Sequence, residues 1–322
     1  MPTRSLRTLV TLSLSAAALA VPVLATPAAS AAPTVTTSVS PTVIKMGAAA
    51  KDQAAFDAFD KQAGTFTSRR TYNSALPSAF PKALAGSDTL ANRTSYWSFR
   101  PDPKTFPTDT VAQAAFAKFL TTIPAGHQTV IIALHEPEDE IRDGKFTLKQ
   151  WGDTNNVVGR IVKATNRPEL RHGLSLMGPW TFDSRSAYYS YDWESVLDFS
   201  LVDVVGIDPY KFRTTDPSLE QMLTKSNSGN GKTPNPSVMD KLASWGKPIA
   251  LTEFGINATD RYTGAVIPDS VRAQWITDGY AWMNRWNATH DVKIEAAMYF
   301  QLNVGGPLLT GEAITALDAT TT

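Results

Sequence analysis

The sequence of 322 residues contains no cysteine and only four histidines. The lack of cysteine excludes a disulfide scaffold and thiolate metal sites, so stability has to come from a packed core. The histidines stand at positions 127, 135, 172 and 290, and no two lie within four residues of each other. This spacing excludes a local histidine pair for zinc on one helix or strand. We therefore expect no metal site and no cofactor.

The chain also lacks an excess of charge of either sign. Basic and acidic residues are equal at 30 each, so the formal net charge is 0. Removal of an N-terminal segment that contains Arg4 and Arg7 takes the charge to −2, because no acid is lost with them. A near-neutral chain has little electrostatic attraction for nucleic acid or an anionic membrane surface. Neither is an expected partner.

Long apolar runs are confined to the N-terminus. Two arginines precede the apolar residues 9–24, and Ala29-Ser30-Ala31 offers a small-residue cleavage site, which is typical of a secretory signal peptide. The run is short for a membrane span, and no later segment is apolar enough to cross a bilayer. We expect a secreted, extracellular protein with no membrane contact after cleavage. The predicted divisions are a signal peptide over 1–31, a linker over 32–41 and a catalytic domain over 42–322.

Strand-like apolar runs alternate with helical patterns along the rest of the chain. Most runs are continuously apolar, as expected for parallel strands buried on both faces. Between them lie helical stripes, such as Phe116, Phe119 and Leu120 after a capping residue at Asp109. The predicted strands are Val43–Ala49, Thr65–Tyr72, Thr94–Arg100, Thr129–Glu136, Gly173–Trp180, Val202–Tyr210, Pro248–Glu253 and Ile294–Gln301.

Eight such units match the size of an α/β protein with a single (β/α)8 TIM barrel, for which about 250 residues are typical. A doubly wound open sheet is the competing architecture, and its signal is a glycine-rich turn after the first strand. The first predicted strand instead runs into Met46-Gly47-Ala48-Ala49-Ala50. The pattern therefore favours the barrel.

Two of the predicted strands end in a glutamate. The fourth reads Ala133-Leu134-His135-Glu136-Pro137, and the seventh reads Ala250-Leu251-Thr252-Glu253-Phe254-Gly255. A carboxylate at the end of a buried strand is costly unless it is hydrated, paired or used. TIM-barrel active sites lie at these strand ends, and glycosidic bond cleavage requires two carboxyl groups. Glu136 and Glu253 are therefore the predicted catalytic pair, with structural pairing to arginine as the alternative.

The remaining strand ends are aromatic, polar and acidic, a composition that suits a carbohydrate cleft. Aromatic rings stack on sugar faces, while acids and amides bind hydroxyl groups. Trp97 and Trp180 fit ordinary core or rim packing nearly as well, and Glu138 and Glu140 are interpreted as solvated loop acids. The predicted substrate contacts are Arg70, Trp97, His135, Trp180, Tyr210 and Tyr299. Asp208 and Gln301 are predicted to hold these contact residues in place without touching the substrate themselves.

At these residues the chain resembles clan A of the retaining glycoside hydrolases. In that clan the acid/base glutamate ends the fourth strand, commonly as Asn-Glu-Pro, and the nucleophile ends the seventh. His135-Glu136 and Glu253-Phe254-Gly255 look most like family twenty-six, the β-mannanases. Tyr210 matches a tyrosine that hydrogen-bonds the nucleophile there, and Arg70 fits an arginine common in the clan. The eighth strand departs from the clan, since Met298-Tyr299-Phe300-Gln301 replaces its usual tryptophan.

The resemblance implies a hydrolase whose partner is a β-linked polysaccharide or oligosaccharide, and we expect a monomer. β-1,4-Mannan is the first expectation, and β-glucan or xylan is the alternative. The two carboxyl groups lie about 5–5.5 Å apart in retaining enzymes and roughly 6.5–9.5 Å apart in inverting ones. We expect retention of the anomeric configuration. Two other classes stay open, namely a decayed barrel that only binds carbohydrate or the cell wall and, more weakly, a metal-dependent hydrolase.

Overall fold

The computed structural model describes residues 43–50, 52–80, 93–183, 186–225, 236–300, 309 and 311–320, without the side chain of Tyr189. These residues belong to one compact unit, Ser40–Thr322. The predicted signal peptide and linker lie outside the described residues, and so does Gln301. Within the described part, no helix combines the length and apolar character that a membrane crossing requires.

Eight parallel strands close into a barrel, which confirms the predicted (β/α)8 TIM fold. The eighth strand pairs with the first, and the sixth pairs with the seventh, so the ring has no open edge among the barrel strands. A two-residue strand, Tyr210–Lys211, pairs in parallel with the carboxyl end of the seventh strand. From first to eighth, the barrel strands are Lys45–Ala49, Ser68–Asn73, Thr94–Phe99, Thr129–Ala133, Leu170–Met177, Val204–Asp208, Ile249–Ile256 and Ile294–Phe300.

Helices connect the strands and cover the barrel. Asp109 caps the helix after the third strand as predicted, since its carboxylate accepts hydrogen bonds from the amides of Val111 and Ala112. The described α-helices are Gln53–Gln62, Thr110–Thr121, Glu138–Arg142, Leu148–Ala164, Trp193–Val196, Leu219–Thr224, Val238–Ser244, Asp269–Thr289 and Gly311–Asp318. Short 3-10 helices span Pro179–Phe182, Ala187–Ser190 and Phe199–Leu201.

The two faces of the strands bury different layers. Side chains alternate along a strand, so residues two positions apart share a face. Outward residues of the third and fourth strands pack against the helices Thr110–Thr121 and Leu148–Ala164. Apolar residues that fill the barrel interior are Tyr96, Val130, Ile132, Val204, Ala250, Ala296 and Met298.

The fourth and fifth strands each end three residues earlier than their apolar patterns predict. The fourth ends at Ala133 instead of Glu136, because the next residue turns to a positive φ. The fifth ends at Met177 instead of Trp180, because Gly178 has φ +30° and a 3-10 helix follows. Both departures occur at the carboxyl end of the barrel, which we call the mouth.

Candidate active site at the barrel mouth

The end of the fourth strand is strained. Leu134 has φ +51° and Glu136 has φ +48°, a region that costs non-glycine residues on the order of 1–3 kcal/mol each. Hydrogen bonds hold this backbone in place. The Leu134 amide donates to the Phe99 carbonyl at 3.0 Å, and the Glu136 amide donates to the Ser175 carbonyl at 2.9 Å. Trp151 Nε1 donates to the Leu134 carbonyl at 3.1 Å. The neighbouring strands and helix therefore impose the position of Glu136.

Glu253 owes its orientation to a bulge. Between Leu251 and Phe254 the seventh strand carries one residue more than the eighth strand opposite. Such a bulge interrupts the alternation of faces and redirects side chains. Thr252 can therefore hydrogen-bond Asp208 inside the barrel while the next residue, Glu253, also turns to the mouth. Phe254 returns to the outer layer.

Three side chains stabilise the charged form of Glu253, which is only 4% exposed. Tyr72 Oη donates to its Oε1 at 2.8 Å, and Tyr210 Oη donates to its Oε2. Arg70 Nε lies 3.9 Å from Oε1. Burial raises the pKa of Glu253, and Arg70 and the two hydroxyl groups oppose that rise.

Glu136 lacks this support. Among the described residues, no side chain is seen to donate a hydrogen bond to its carboxyl group. Burial raises its pKa to about 8, and the negative charges of Glu253 and Glu138 add to the effect, while Arg70 and Arg100 oppose it. One proton shared between the two catalytic candidates therefore belongs on Glu136, because the hydroxyl donors favour the ionised form of Glu253.

Asp208 ends the sixth strand and is hydrogen-bonded to the fifth and seventh strands on either side of it. It is fully buried and accepts hydrogen bonds from Ser175 Oγ at 3.0 Å and from Thr252 Oγ1. Ser175 also provides the carbonyl that binds the Glu136 amide, and Thr252 directly precedes Glu253. Burial raises the pKa of Asp208 well above its ordinary value, with further contributions from the charges of the two glutamates. Asp208 is therefore placed to position both carboxyl groups.

The three carboxyl groups form one cluster. An oxygen of each of Glu136, Asp208 and Glu253 lies within 4.8 Å of an oxygen of the other two. Oxygen ligands of this kind suit a hard cation. Here, however, both oxygens of Glu253 and both of Asp208 already accept hydrogen bonds from hydroxyl groups. Arg70 adds a positive charge 3.9 Å away. This environment favours protons over a metal ion.

Arg70 brings unused hydrogen-bond donors to the cluster. Its fully buried guanidinium donates through Nη1 to Ser98 Oγ and lies over the Tyr72 ring, 4.7 Å from the centroid. Its Nε and Nη2 are buried and make no hydrogen bond with the described atoms. Buried donors without partners are costly, and the fully buried Arg70 faces Glu253 rather than solvent.

His135 also lies beside the cluster. Its ring is 5.4 Å from the ring of Tyr72, and Arg100 Nη1 donates to its carbonyl at 3.2 Å. Burial lowers its pKa well below the ordinary value, and the charges of Arg70 and Arg100 add to this. A neutral imidazole carries one donor and one acceptor. Nδ1 is buried without a described hydrogen-bond partner, so the ring has unused capacity.

Aromatic rings extend from Glu253 toward the rim. Phe300 meets Tyr210 edge-on at 5.6 Å and Tyr72 at 6.4 Å. Phe212 stacks with Tyr210 at 5.9 Å, and Trp180 lies 6.0 Å from Phe212. Half-buried Trp180 is thus connected to Glu253 through the rings of Phe212 and Tyr210. It also borders a rim cleft of about 570 Å³, which is lined by Pro179, Trp180, Asp183, Pro217, Gln221, Met222 and Lys225.

Two predicted substrate contacts, Trp97 and Tyr299, lie in the outer layer instead. Trp97 is fully buried and stacks on Phe119 at 4.5 Å. Tyr299 is 3% exposed, packs edge-on against Phe254, and donates to the Ile256 carbonyl at 3.4 Å. These two predictions are wrong, because strand alternation turns both side chains away from the interior.

Glu138 and Glu140 are not the solvated loop acids that their sequence context predicts. Glu138 is fully buried and accepts hydrogen bonds from the Met177 amide and from Thr181. Glu140 forms an ion pair with Arg100. The run of acids after Pro137 therefore belongs partly to the interior.

Other site residues escaped sequence reasoning. Tyr72 stands two positions after Arg70, and Phe300 stands two positions after Met298. The alternation of faces along a strand therefore predicts that both side chains point into the barrel. The hydroxyl groups of Ser98, Ser175 and Thr252 have no such signal, because each makes its contact across strands far apart in the sequence.

No protein-family model and no curated protein matches the sequence. Solved structures do match. A glucosidase from Croceicoccus marinus has a TM-score of 0.54 at 12% identity, over 87% of this chain and 66% of that chain. A GH128 subgroup I endo-β-1,3-glucanase from Amycolatopsis mediterranei, in complex with laminaripentaose, has a TM-score of 0.51 at 12% identity, over 86% and 99%.

A 4-O-α-L-rhamnosyl-β-D-glucuronidase from Fusarium oxysporum 12S has a TM-score of 0.50 at 13% identity, over 86% of this chain and 68% of that chain. The chain spans about two thirds of the length of this protein and of the Croceicoccus glucosidase. At such identities the likeness concerns the fold. The chain is a (β/α)8 barrel of the same architecture as these glycosidases.

Proposed function

We propose that the protein is a retaining glycoside hydrolase of a β-linked glucan, with Glu136 as acid/base and Glu253 as nucleophile. The observation that carries this proposal is the inequivalence of two close carboxyl groups. Their nearest oxygens lie within 4.8 Å, yet among the described residues the tyrosine hydroxyl donors and the ion pair with a guanidinium are found at Glu253 and not at Glu136. An oxygen–oxygen distance of this size is in line with the carboxyl separation of about 5–5.5 Å that is usual in retaining enzymes.

The first step uses the proton on Glu136. Glu136 donates this proton to the glycosidic oxygen while a carboxylate oxygen of Glu253 attacks the anomeric carbon. The bond between that carbon and the glycosidic oxygen breaks, and the leaving sugar departs with a hydroxyl group. The product is a glycosyl ester on Glu253 and an ionised Glu136.

The second step reverses these roles. Esterification removes the negative charge of Glu253, which is one cause of the raised pKa of Glu136. The pKa of Glu136 then falls, so its carboxylate can accept a proton from water. The water oxygen attacks the anomeric carbon, the ester bond breaks, and the carboxylate of Glu253 returns with a proton again on Glu136.

Glucan is preferred over mannan as the substrate class because an endo-β-1,3-glucanase with bound laminaripentaose shares the fold. The His135-Glu136 pair, which resembles the β-mannanases, keeps β-1,4-mannan as the second candidate. His135, which is partly exposed beside Glu136, supplies an imidazole for sugar hydroxyl groups, and Phe300 and Trp180 supply ring surface.

Export is part of the proposal and rests on the apolar N-terminal run followed by Ala29-Ser30-Ala31. Expression of the full chain in a bacterial host, followed by N-terminal sequencing of the protein in the medium, tests it. We expect a mature chain that begins near residue 32. Retention of the intact chain in the cytoplasm contradicts export. We also propose that the mature protein is a monomer, and gel filtration tests this oligomeric state.

A substrate panel tests the enzymatic proposal. We expect reducing ends to be released from laminarin or mixed-linkage β-glucan faster than from β-mannan or xylan, and the matched variant Glu253→Gln to be inactive. Proton NMR of the first product formed should show the β anomer. Binding without hydrolysis by the parent protein favours a carbohydrate-binding barrel, and an α anomer excludes retention. Activity lost with a chelator and restored by zinc favours a metal-dependent hydrolase.

A further inference from the structure

Glu138 is a buried carboxyl group that the two-step mechanism does not use. Its Oε1 accepts a hydrogen bond from the Met177 amide at 2.8 Å and another from Thr181 Oγ1 at 2.7 Å. Its Oε2 is buried and has no described partner. Met177 ends the fifth strand, and Thr181 lies beside Trp180 in the 3-10 helix Pro179–Phe182. One carboxyl group therefore joins the segment after the fourth strand to the segment after the fifth.

Further contacts join the same two segments. Tyr188 Oη donates to Asp139 and accepts a hydrogen bond from Arg142 Nη1 at 2.7 Å. Tyr191 Oη lies 3.5 Å from the Glu138 carbonyl and is oriented to donate to it. These tyrosine contacts lie near the surface, whereas the Glu138 contacts are buried. Glu138 is thus the inner end of a junction between the two segments.

A neutral side chain could make this junction at lower cost. Burial raises the pKa of Glu138 to about 7, although the hydrogen bonds from Thr181 and Met177 oppose that rise. A buried oxygen without a partner adds to the cost. A titratable carboxyl group in this position is therefore unexpected for packing alone, and it stands two residues from Glu136.

We propose that Glu138 is a positioning residue, which joins the segment that carries Glu136 to the segment that carries Trp180, so that the proton donor and the sugar-binding rim are held in one fixed relation. The proposal rests on the proposed function. Its physical basis is that proton transfer is sensitive to the placement of the donor. The reaction and the class of substrate are those of the proposed function, because Glu138 acts on the substrate only through Glu136 and Trp180.

The charge of Glu138 acts on Glu136 as well. An ionised Glu138 disfavours a second negative charge nearby and so raises the pKa of Glu136. Removal of that charge should extend ionisation of Glu136 to lower pH. The titratable groups that interact electrostatically with Glu138 are Glu136 after the fourth strand, Asp139 from its own helix, and Tyr188 and Tyr191 from the segment after the fifth strand.

Glu138→Gln is the first test, because it keeps the Oε1 acceptor and removes the charge. Asp153→Asn is the matched control, since it neutralises an acid on an exposed helix face where Asp153 pairs with Lys149. We expect the alkaline limb of kcat/KM for Glu138→Gln to move down by about half a pH unit or more. At the pH optimum we expect kcat to stay within a few-fold of wild type, because the Oε1 acceptor still holds the junction. An alkaline limb equal to that of Asp153→Asn overturns the proposal.

Thr181 offers a second test that keeps the charge. Thr181→Val removes the hydroxyl donor with little change in volume, and Thr181→Ser restores the donor. We expect Thr181→Val to lower kcat and to speed amide hydrogen exchange over residues 177–183, and Thr181→Ser to recover both toward wild type. Equal exchange in all three proteins overturns the junction. Hydrogen exchange needs no substrate, so this result is independent of whether the wild-type protein hydrolyses a glucan.

Discussion

Two clusters of charged side chains lie inside the barrel, one at each end. We call Arg70, Glu136, Asp208 and Glu253 the mouth cluster, and Lys45, Tyr96, Arg171 and Glu295 the floor cluster. Each contains a glutamate at a one-residue bulge between the seventh and eighth strands. Glu253 lies in the bulge on the seventh strand, and Glu295 is the extra residue between Ile294 and Ala296 on the eighth. The same backbone device therefore places an inward carboxyl group at both ends.

The floor cluster is well matched in charge and hydrogen bonds. Glu295 accepts two hydrogen bonds from Arg171, at 2.8 and 3.0 Å, and one from Tyr96 at 2.6 Å. Lys45 adds a second positive charge, and its pKa is lowered by burial while the charge of Glu295 opposes that effect. One acid thus faces two cations, an arrangement that stabilises its charge.

The mouth cluster is unbalanced by comparison. Three carboxyl groups face one buried guanidinium, of which two nitrogen atoms have no described partner. Burial and mutual repulsion raise the pKa values of Glu136 and Asp208. Carboxyl groups with strongly perturbed pKa values in a cleft are typical of catalytic sites. The contrast assigns a stabilising role to the floor and, under the proposed function, a catalytic role to the mouth.

Substitution of glutamates at the mouth and at the floor should separate the two ends most clearly. We expect Glu136→Gln and Glu253→Gln each to lower kcat/KM on the preferred glucan by about 10³-fold or more, because each removes a group that reacts. We expect Glu295→Gln to stay within a few-fold of wild type in kcat/KM. It should lose about 1–3 kcal/mol of unfolding free energy, because Arg171 keeps its charge without a matching carboxylate.

Reducing-sugar assays and denaturant unfolding check these three variants. A Glu295→Gln variant with wild-type stability and lost activity would reverse the comparison.

The tyrosine donors offer the next largest effect. We expect Tyr72→Phe and Tyr210→Phe to lower kcat about 10–100-fold, since each removes a hydrogen bond to the ionised nucleophile. Loss of the donor raises the pKa of Glu253, and activity needs the ionised form, so the acidic limb of kcat/KM should move to higher pH. Tyr96→Phe at the floor is the matched control and should leave the acidic limb in place. An unchanged limb in both mouth variants contradicts the role assigned to the tyrosines.

The eighth strand allows a smaller test with adjacent residues. Phe300 borders Tyr72 and Tyr210, whereas Tyr299 packs in the outer layer. We expect Phe300→Ala to raise KM about tenfold through lost ring contact with the sugar. Tyr299→Phe should leave KM unchanged, because it removes only a 3.4 Å hydrogen bond to Ile256. Initial rates over a range of oligosaccharide concentrations measure both values, and a larger effect at Tyr299 would restore it as a contact.

The pH dependence of stability gives the smallest effect. The pKa of Glu136 in the folded protein, about 8, lies above its ordinary value of 4.5. The folded state therefore binds the proton more tightly, and this contribution to stability is full below pH 4.5 and disappears as the pH rises through about 8. We expect the Tm of the wild type to fall more between pH 5 and pH 8.5 than that of Glu136→Gln. An equal fall in Tm for the two proteins between these pH values would show that Glu136 keeps an ordinary pKa.

The barrel could be predicted from the sequence because parallel strands buried on both faces leave continuous apolar runs. Glu136 and Glu253 could be located because each follows such a run and precedes a Pro or Phe-Gly break. The strand end before Glu136 was harder to place, since the positive φ of Leu134 and Glu136 is imposed by contacts from Phe99, Ser175 and Trp151.

The wrong contacts have a simple physical cause. Ring type and nearness to a strand end indicate Trp97 and Tyr299, but neither property tells which face of the strand a side chain takes. The sequence around Glu138 does not indicate its burial, because its partners, Met177 and Thr181, lie 39 and 43 residues away along the chain. Local charge patterns cannot signal burial that depends on such distant partners.

Covalent trapping tests the central claim most directly. A 2,4-dinitrophenyl 2-deoxy-2-fluoro-β-glucoside or the matching β-laminaribioside should release dinitrophenolate and leave its sugar on the nucleophile. Peptide mass spectrometry should then find the added fluorosugar on Glu253 in the wild type and on no residue in Glu253→Gln. A label on any other residue, or hydrolysis of glucan with no trapped ester, contradicts Glu253 as the nucleophile of a retaining enzyme.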